Sequence, residues 1–336
     1  MKQRDSYFDN VKFILITLVI LGHIIEPLNN GQTFKPLYLW IYSFHMPLFV
    51  FITGYFSKNI HSSDYFNKVI SKLMLPYLFF ETFYSLFDFW IFKKDKLEFS
   101  YLTPYWIMWF LFSMILWKVA LPYAVKIRYA LPISIALAIL AGYANDIGYY
   151  GSLSRTIVFF PFFLSGYYFD KQYLERFMTR KFRIISLVII GLSFLAFFQF
   201  GHGISVQWLY GSFSYEALHH KEWYAGIYRI MIYLIAAIMC LCVLILAPPK
   251  QIPVISKLGK NTLYPYLIHG FVMKYLIYCG FYSHFSSTWI KGFLILIGIA
   301  ISLLLSMDGV RNIFRWIVEP RWNFLFKGQT RDNVTS

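Results

Sequence analysis

Residues 9–23 read DNVKFILITLVILGH, with ten uncharged residues between Lys12 and His23. Eleven positions along an α-helix turn the chain by about 1100°, close to three full turns, and raise it by about 16 Å. Both side chains therefore lie on one face of the helix. If that helix crosses a bilayer, we expect Lys12 at one water boundary and His23 near the middle, where an ionisable side chain is costly and indicates a function.

The composition is that of an integral membrane protein. Of the 336 residues, 58% are hydrophobic and only 14% are charged, whereas about 25% of the residues of a soluble domain are charged. We therefore predict an all-α integral membrane protein, with residues 1–336 forming a single membrane-embedded domain. Uncharged runs of about 20 residues predict about ten transmembrane helices. They cover residues 11–28, 37–57, 73–92, 104–121, 129–146, 153–170, 184–201, 227–246, 262–280 and 287–306.

Positive charge in this chain follows the predicted topology. The net charge of +15 could indicate a nucleic-acid partner, but most Lys and Arg residues fall in loops that are cytoplasmic if the N-terminus is cytoplasmic. The short segment 93–96, KKDK, is the exception. An even number of spans then predicts both termini in the cytoplasm, a basic cytoplasmic tail at 307–336, a multi-pass location in a bacterial cell membrane and no nucleic-acid partner.

The sequence contains no motif of several other classes of protein. It contains no CxxC, HExxH, Walker or GxGxxG motif, so we predict neither a metal site nor a nucleotide-binding fold. The cysteines Cys240, Cys242 and Cys279 fall inside predicted spans and are interpreted as packing residues. No small-residue cleavage site follows the first apolar run, so we expect that run to stay attached. After the last span we expect the basic tail and no appended extracellular domain.

Five further ionisable side chains lie in predicted spans: His45, Glu81, Arg155, Arg229 and His269. Glu81 is the hardest to explain structurally, because a carboxylate in the hydrocarbon zone needs a cation, a proton or water. The two arginines begin their spans, where snorkelling to the outer interface is an equally good explanation. For the two histidines a hydrogen bond between helices competes with a substrate contact, and for His269 we favour the structural role.

Four segments resemble the membrane acyltransferase family 3, and more closely its fucose 4-O-acetylase-like branch. They are residues 7–23, 44–55, 160–167 and 258–269, with the sequences YFDNVKFILITLVILGH, FHMPLFVFITGY, FPFFLSGY and LGKNTLYPYLIH. They span nearly the whole chain in the family's order. The resemblance implies ten or more transmembrane helices, and O-acylation of sugars, mostly of bacterial surface polysaccharides, with acyl-CoA as the donor.

The signature of that family is a basic residue followed eleven positions later by a histidine. This chain has Lys12 where most members have arginine, so the charge is kept while the bidentate guanidinium is lost. Residues 53–55, TGY, stand where the family has Ser-Gly-Phe. The hydroxyl and the glycine of that pattern are therefore retained.

The resemblance implies acetyl-CoA as a co-substrate and no bound cofactor. The anionic end of CoA is expected at the cytoplasmic boundary near Lys12, Lys68 and Lys72, with Asp9 either pairing with Lys12 or orienting the CoA. The pantetheine arm would then bring the thioester to His23. A histidine can act as a general base towards a sugar hydroxyl, and we favour this role for His23. The alternative, a transient acetyl-histidine, stays open.

The acceptor side is less well defined by the sequence. The candidates for oxyanion or acceptor contacts are His45, Thr53, Tyr55, Glu81, Arg155, Arg229 and His269. Aromatic residues of the segment 202–226 could stack on a glycan, although an interfacial aromatic belt is the simpler explanation. The expected acceptor is a hydroxyl of a capsular polysaccharide, an exopolysaccharide or an undecaprenyl-linked oligosaccharide.

A polysaccharide exporter or flippase is the alternative function, because ten helices with buried His and Glu would also suit a transport path. The variant His23→Ala separates the two functions. An acetyltransferase would lose product acetylation and still export polymer, whereas an exporter would stop export. A membrane sensor or structural protein, the third class, predicts no effect of the variant on acetylation.

Overall fold

The computed structural model describes residues 5–31, 33–148, 150–285 and 288–319, and these residues form helices and loops without any strand. The all-α prediction is confirmed for this part of the chain. Its α-helices are α1 (Ser6–Ile25), α2 (Lys35–Tyr42), α3 (His45–Tyr55), α4 (Tyr65–Val69), α5 (Leu75–Ile91), α6 (Trp109–Ala124), α7 (Ala130–Leu140), α8 (Leu153–Tyr168), α9 (Lys171–Glu175), α10 (Arg180–Phe200), α11 (Gly226–Leu246), α12 (Pro253–Leu258), α13 (Leu263–Tyr278), α14 (Thr288–Leu305) and α15 (Asp308–Val318).

Several helical segments are long and apolar enough to cross a membrane. Within the described ranges there are five: Ser6–Leu28, Lys35–Tyr55, Trp106–Ala124, Arg180–Gly203 and Gly226–Leu246. A sixth arises if α14 and α15, which are bent by 64° at a short break, count as one span. Helix is also present in each of the ten segments expected to span the membrane. Ten crossings and the cytoplasmic placement of both termini stay predictions.

The second expected span is broken into α2 and α3. Helix α2 ends at Tyr42 and α3 begins at His45. Pro47 lies in the first turn of α3, where its missing N–H removes no helical hydrogen bond. The break brings the ring of Tyr42 to 4.6 Å from the ring of His45, and both side chains reach the site described below.

Two glycines allow α3 and α8 to approach closely. A Cβ atom on Gly54 would lie 1.9 Å from the carbonyl oxygen of Phe163, and one on Gly166 would lie 1.9 Å from that of Phe51. Any larger residue would therefore overlap the neighbouring backbone. The glycine of the TGY segment thus has a packing role, which fixes α3 against α8.

Helix α1 lies in the middle of the bundle and contacts α2, α3, α12, α13 and α14. Gly259, directly after α12, lies so close that a Cβ there would be 1.9 Å from the carbonyl oxygen of Asp9. The first part of the expected basic tail is the helix α15, whose Val318 is buried. Residues 320–336 of that tail lie outside the described residues.

Candidate active site

His23 lies in the last turn of α1, so it is close to the C-terminal end of the helix rather than halfway along it. Its Nδ1 lies 2.8 Å from Oε2 of Glu26, which begins the 3₁₀ turn after α1. A carboxylate accepts hydrogen bonds, so Nδ1 carries the proton and donates it, and Nε2 keeps its lone pair. A histidine in this tautomer can take up a proton at Nε2.

Three aromatic side chains surround the imidazole of His23. Its ring centroid lies 4.7 Å from that of Trp106, 5.3 Å from that of His269 and 6.3 Å from that of Tyr42. The Tyr42 hydroxyl is 3.5 Å from Nδ1. Only 15% of the His23 side chain is exposed, so the imidazole is held in a defined orientation and largely shielded from solvent.

His23 lies where two cavities meet. The first, which we call the Lys12 cavity, has a volume of about 300 Å³ and is lined by Lys12, Thr53 and Lys118 among others. The second, the Arg155 cavity, has a volume of about 240 Å³. Residues that line both cavities are His23, Met46, Ile107 and Trp109. The imidazole therefore forms part of the wall of both cavities.

The Lys12 cavity combines cationic side chains with apolar walls. Lys12 Nζ lies 2.7 Å from Oδ1 of the buried Asp9 and 5.6 Å from the ring centroid of Phe56. Lys118 Nζ donates a hydrogen bond to Ser57 Oγ at 2.8 Å. Much of the remaining wall is formed by Val19, Met46, Phe49, Ile52, Ile107, Phe110, Met114 and Leu263. The cavity thus combines two lysine side chains with a largely apolar wall.

The structure does not bring every expected site residue to these cavities: Lys68 and Lys72 were expected on the donor side, and Tyr55 on the oxyanion or acceptor side. Lys68 and Lys72 are exposed, and Lys68 lies 3.9 Å from Asp64. The ring of Tyr55 packs 4.4 Å from that of Phe8. None of these three expected site residues lines the Lys12 cavity or the Arg155 cavity, and their proposed contacts stay predictions.

Thr53 lines the Lys12 cavity, but its hydroxyl already has a partner. Its Oγ1 donates to the carbonyl oxygen of Phe49, four residues earlier in α3, at 2.9 Å. An oxyanion contact needs a donated hydrogen. Thr53 would therefore have to break this helical hydrogen bond before it could stabilise an oxyanion.

The Arg155 cavity is polar and aromatic. Arg155 Nη2 donates to Ser212 Oγ at 3.4 Å, and the guanidinium carbon lies 5.0 Å from the ring centroid of Trp109. His45 Nδ1 donates to the carbonyl oxygen of Ile41 at 2.8 Å, so its Nε2 is an acceptor. These groups can hydrogen-bond to the hydroxyls of a polar ligand.

Three tyrosines form another part of the wall of the Arg155 cavity. The ring of Tyr38 stacks on that of Tyr42 at 3.9 Å, and the hydroxyls of Tyr38 and Tyr210 are 2.9 Å apart. This wall thus combines aromatic rings with hydroxyl groups.

Glu81 and Arg229 are buried outside these two linings. Both carboxylate oxygens of Glu81 accept the backbone N–H of Tyr105, at 2.8 and 3.1 Å. The hydrogen-bond partner of this carboxylate is thus a backbone amide. Arg229 Nη1 donates to the carbonyl oxygen of Trp208 at 3.1 Å, so this arginine supports the segment that contains Trp208.

His269 is fully buried beside His23. Its Nδ1 donates to the carbonyl oxygen of Pro265 at 2.8 Å. Its Nε2 has no hydrogen-bond partner among the described residues. The structure therefore places a second imidazole with an available acceptor nitrogen next to the candidate base, although His269 does not line the two cavities.

Among the site residues that were not singled out from the sequence, Glu26 and Lys118 carry a charge. Glu26 follows His23 by three positions, a spacing at which side chains of a helix meet, so the sequence did contain this signal. Lys118 lies in the apolar helix α6, where a lysine is unusual. The packing of α6, which the sequence alone does not give, decides that Lys118 lines the Lys12 cavity.

One known protein family matches most of this chain. A family model for an acyltransferase domain, acyltransferase family 3, matches residues 5–307. The chain belongs to this family. The resemblance carried by the four sequence segments is thus confirmed, and in this chain Lys12 and His23 line the same cavity.

Two curated relatives are similar to part of the chain. The nodulation protein NolL of Mesorhizobium japonicum is 37% identical over 133 residues, which are 34% of this chain and 36% of the relative. The nodulation protein NolL of Sinorhizobium fredii is 35% identical over 122 residues, which are 32% of this chain and 33% of the relative. The chain thus spans about a third of the length of each. No solved structure matches the chain.

Proposed function

We propose that the protein is a membrane O-acetyltransferase. It would move an acetyl group from cytoplasmic acetyl-CoA to a sugar hydroxyl of a capsular polysaccharide, an exopolysaccharide or an undecaprenyl-linked glycan. The observation that carries this proposal is the position of His23, with an available Nε2, between the cationic Lys12 cavity and the polar Arg155 cavity. Membership of acyltransferase family 3 supports the reaction class.

The donor would enter the Lys12 cavity. CoA carries several negative charges on its phosphates, and Lys12 and Lys118 are the two cations among the residues that line this cavity. The pantetheine arm is uncharged and matches the apolar wall. From Lys12 the arm would follow α1 over about 16 Å to His23. Acetyl-CoA is therefore a co-substrate in this proposal, and no resident cofactor or metal is involved.

Transfer would proceed with His23 as a general base. As the sugar oxygen attacks the thioester carbonyl carbon, its proton moves to Nε2 of His23. The carbon–sulfur bond then breaks, and the imidazolium returns the proton to the leaving thiolate, which gives an acetyl ester and free CoA thiol. Glu26, 2.8 Å from Nδ1, would hold the tautomer and stabilise the imidazolium, as a carboxylate does in a catalytic triad.

The acceptor would enter the Arg155 cavity. Glu26, Pro104, Ser152 and Tyr210, which line it, lie in or next to segments that the ten-span topology places outside. His45 and Arg155 would hydrogen-bond the glycan. The protein would thus work in a bacterial cell membrane, with the two substrates entering from opposite sides.

A polysaccharide exporter is the second candidate function. Two adjacent cavities that share part of their lining would also suit a path across a membrane, so the same observation favours it. Exporter and enzyme differ in what His23 does. In the exporter the imidazole would be part of a passage, whereas in the enzyme its lone pair would be needed for chemistry.

The test compares cells that carry the wild-type protein with cells that carry His23→Ala. We expect the variant to lose one O-acetyl signal in the NMR spectrum of the surface polysaccharide while polymer export stays normal. His61→Ala, at an exposed histidine in a loop, is the matched control and should keep the signal. Loss of export with normal acetyl content in the residual polymer would overturn the enzyme and favour the exporter.

A further experiment separates direct transfer from an acetyl-histidine. Purified protein is mixed with acetyl-CoA that is radiolabelled in its acetyl group, without acceptor, and is then separated from CoA. Direct transfer leaves the protein unlabelled, whereas a covalent intermediate leaves label that His23→Ala abolishes. If the protein is labelled and the label depends on His23, His23 acts as a covalent acetyl carrier and not as a general base.

A further inference from the structure

Trp106 has an unusual backbone for a large residue. Its φ angle is +25°, in the left-handed region that residues with bulky side chains rarely occupy. It begins the 3₁₀ turn Trp106–Met108, directly before α6. Such a conformation persists only where surrounding contacts enforce it, and it is concentrated at binding and catalytic sites.

Tyr105, the residue before Trp106, is fixed by the buried carboxylate of Glu81. Both oxygens of Glu81 accept the N–H of Tyr105, and Glu81 is only 2% exposed. The ring of Tyr105 stacks on that of Tyr84 with centroids 5.0 Å apart. The amide of Met108 donates to the carbonyl oxygen of Tyr105 at 2.6 Å. The segment is therefore held on both sides of the strained residue.

The result is an indole placed beside the candidate base. The ring of Trp106 lies 4.7 Å from that of His23 at an interplanar angle of 71°, and it lines the Arg155 cavity. Lys274 Nζ lies 5.8 Å from the indole centroid and 3.7 Å from Oδ1 of Asp88. The contacts of the segment thus hold an aromatic ring at the wall of the Arg155 cavity, beside His23.

We propose that Trp106 is the surface on which the sugar ring of the acceptor stacks beside His23, and that Glu81 is the residue that positions it. The ligand class is a pyranose ring with an apolar C–H face, which packs on the indole while its hydroxyl is directed at Nε2. This inference rests on the proposed function. It assigns to Glu81 a role without contact with the substrate.

A simpler role for Trp106 would be a plug between the two cavities. A plug keeps water from the thioester, so its removal would raise the hydrolysis of acetyl-CoA in the absence of acceptor. A stacking surface acts on acceptor binding, so its removal would raise the KM for the acceptor. The two roles therefore differ in which kinetic constant changes.

The experiment uses the full chain in lipid nanodiscs. The donor is acetyl-CoA, and the acceptor probe is surface polysaccharide of the same cells, freed of O-acetyl groups with mild base. We expect Trp106→Ala to raise the KM for the polysaccharide by about tenfold, on the scale of ring stacking. The KM for acetyl-CoA and the hydrolysis without acceptor should not change, and Trp106→Phe should retain most of the binding. The matched control is Trp90→Ala, at a tryptophan of α5 that is 75% exposed.

Glu81 is tested by the same assay. Glu81→Gln keeps a carbonyl oxygen for the Tyr105 amide and should retain the acceptor KM, whereas Glu81→Leu should raise it as Trp106→Ala does. In a Trp106→Ala background, Glu81→Leu should add nothing, because coupled residues are not additive. A full additional effect there, or an equal rise in the KM for acetyl-CoA, would overturn the positioning role. If Glu81→Leu does not fold, a raised acceptor KM in Glu81→Gln would overturn the positioning role, and the Trp106 variants still test the stacking surface.

The outcomes of the Trp106 and His23 variants are distinguishable. If His23→Ala keeps transfer activity, the proposed function fails. If His23→Ala is inactive while Trp106→Ala leaves the acceptor KM unchanged, or changes only acetyl-CoA hydrolysis, then the stacking surface fails and the acetyltransferase stands.

Discussion

Nδ1 of His23 lies 2.8 Å from Oε2 of Glu26, the first residue after α1. The contact spans three positions, so it is made within one stretch of chain and does not depend on the packing of other helices. It determines which imidazole nitrogen carries the proton. In the proposed reaction the lone pair at Nε2 is a consequence of this contact.

Glu26→Ala is expected to lower kcat by about 10²-fold or more, because the imidazolium loses its carboxylate and the tautomer is no longer fixed. The KM for acetyl-CoA should stay within about twofold, since Glu26 lines the Arg155 cavity and not the Lys12 cavity. Single-turnover transfer in nanodiscs measures the chemical step. Glu26→Gln keeps an acceptor for Nδ1 and should lose less. Wild-type kcat in Glu26→Ala would show that the contact has no catalytic role.

Lys12→Ala and Lys118→Ala are each expected to raise the KM for acetyl-CoA by about tenfold, because each removes a cation from a partly desolvated site for phosphate. Lys12→Arg should restore binding, since the positive charge returns. Lys68→Ala is the matched control, because Lys68 is exposed and lies outside the cavity. Titration with acetyl-CoA at two salt concentrations measures the effect. An equal loss in the Lys68 variant would place the CoA phosphates elsewhere.

The sequence predicted helix α1 from its uninterrupted apolar run. It also predicted that Lys12 and His23 lie on one face of this helix, because a spacing of eleven residues depends only on helix geometry. Charge counting placed cations near one membrane face, but it could not tell which of them enter a cavity. Lys68 and Lys118 have the same chemistry, and only the packing of their helices separates an exposed side chain from a cavity wall.

Glu81 illustrates a second limit of sequence reasoning. A carboxylate in an apolar helix indicated a buried partner, and a cation, a proton or water was expected. Its partner is the backbone N–H of Tyr105, 24 residues later. Backbone amides are present at almost every position, so no side-chain pattern marks which one is used. The break in the second expected span was not predicted, although Pro47, which fits the first turn of a helix, lies close to the start of α3.

Thr53→Val is expected to keep kcat within about threefold, because the hydroxyl of Thr53 already donates to Phe49. Removal of a hydrogen-bond donor to the oxyanion would instead lower kcat by about 10²–10³-fold. Thr82→Val is the matched control, since Thr82 makes the same bond to Leu78 at 2.8 Å on an exposed helix face. Steady-state transfer by the two variants is compared. A hundredfold loss in Thr53→Val alone would return this hydroxyl to the oxyanion site.

Gly54→Ala is expected to destabilise the protein by about 1–3 kcal/mol or more, because overpacking forces α3 and α8 apart. The added Cβ would lie 1.9 Å from the carbonyl oxygen of Phe163. Thermal unfolding in detergent measures the loss, and kcat per folded molecule should change little. Gly191→Ala is the matched control, because nothing lies within 4 Å of a Cβ there, and its stability should stay equal or rise. A wild-type melting temperature in Gly54→Ala together with lost transfer would assign this glycine to the chemistry instead of to the α3 and α8 contact.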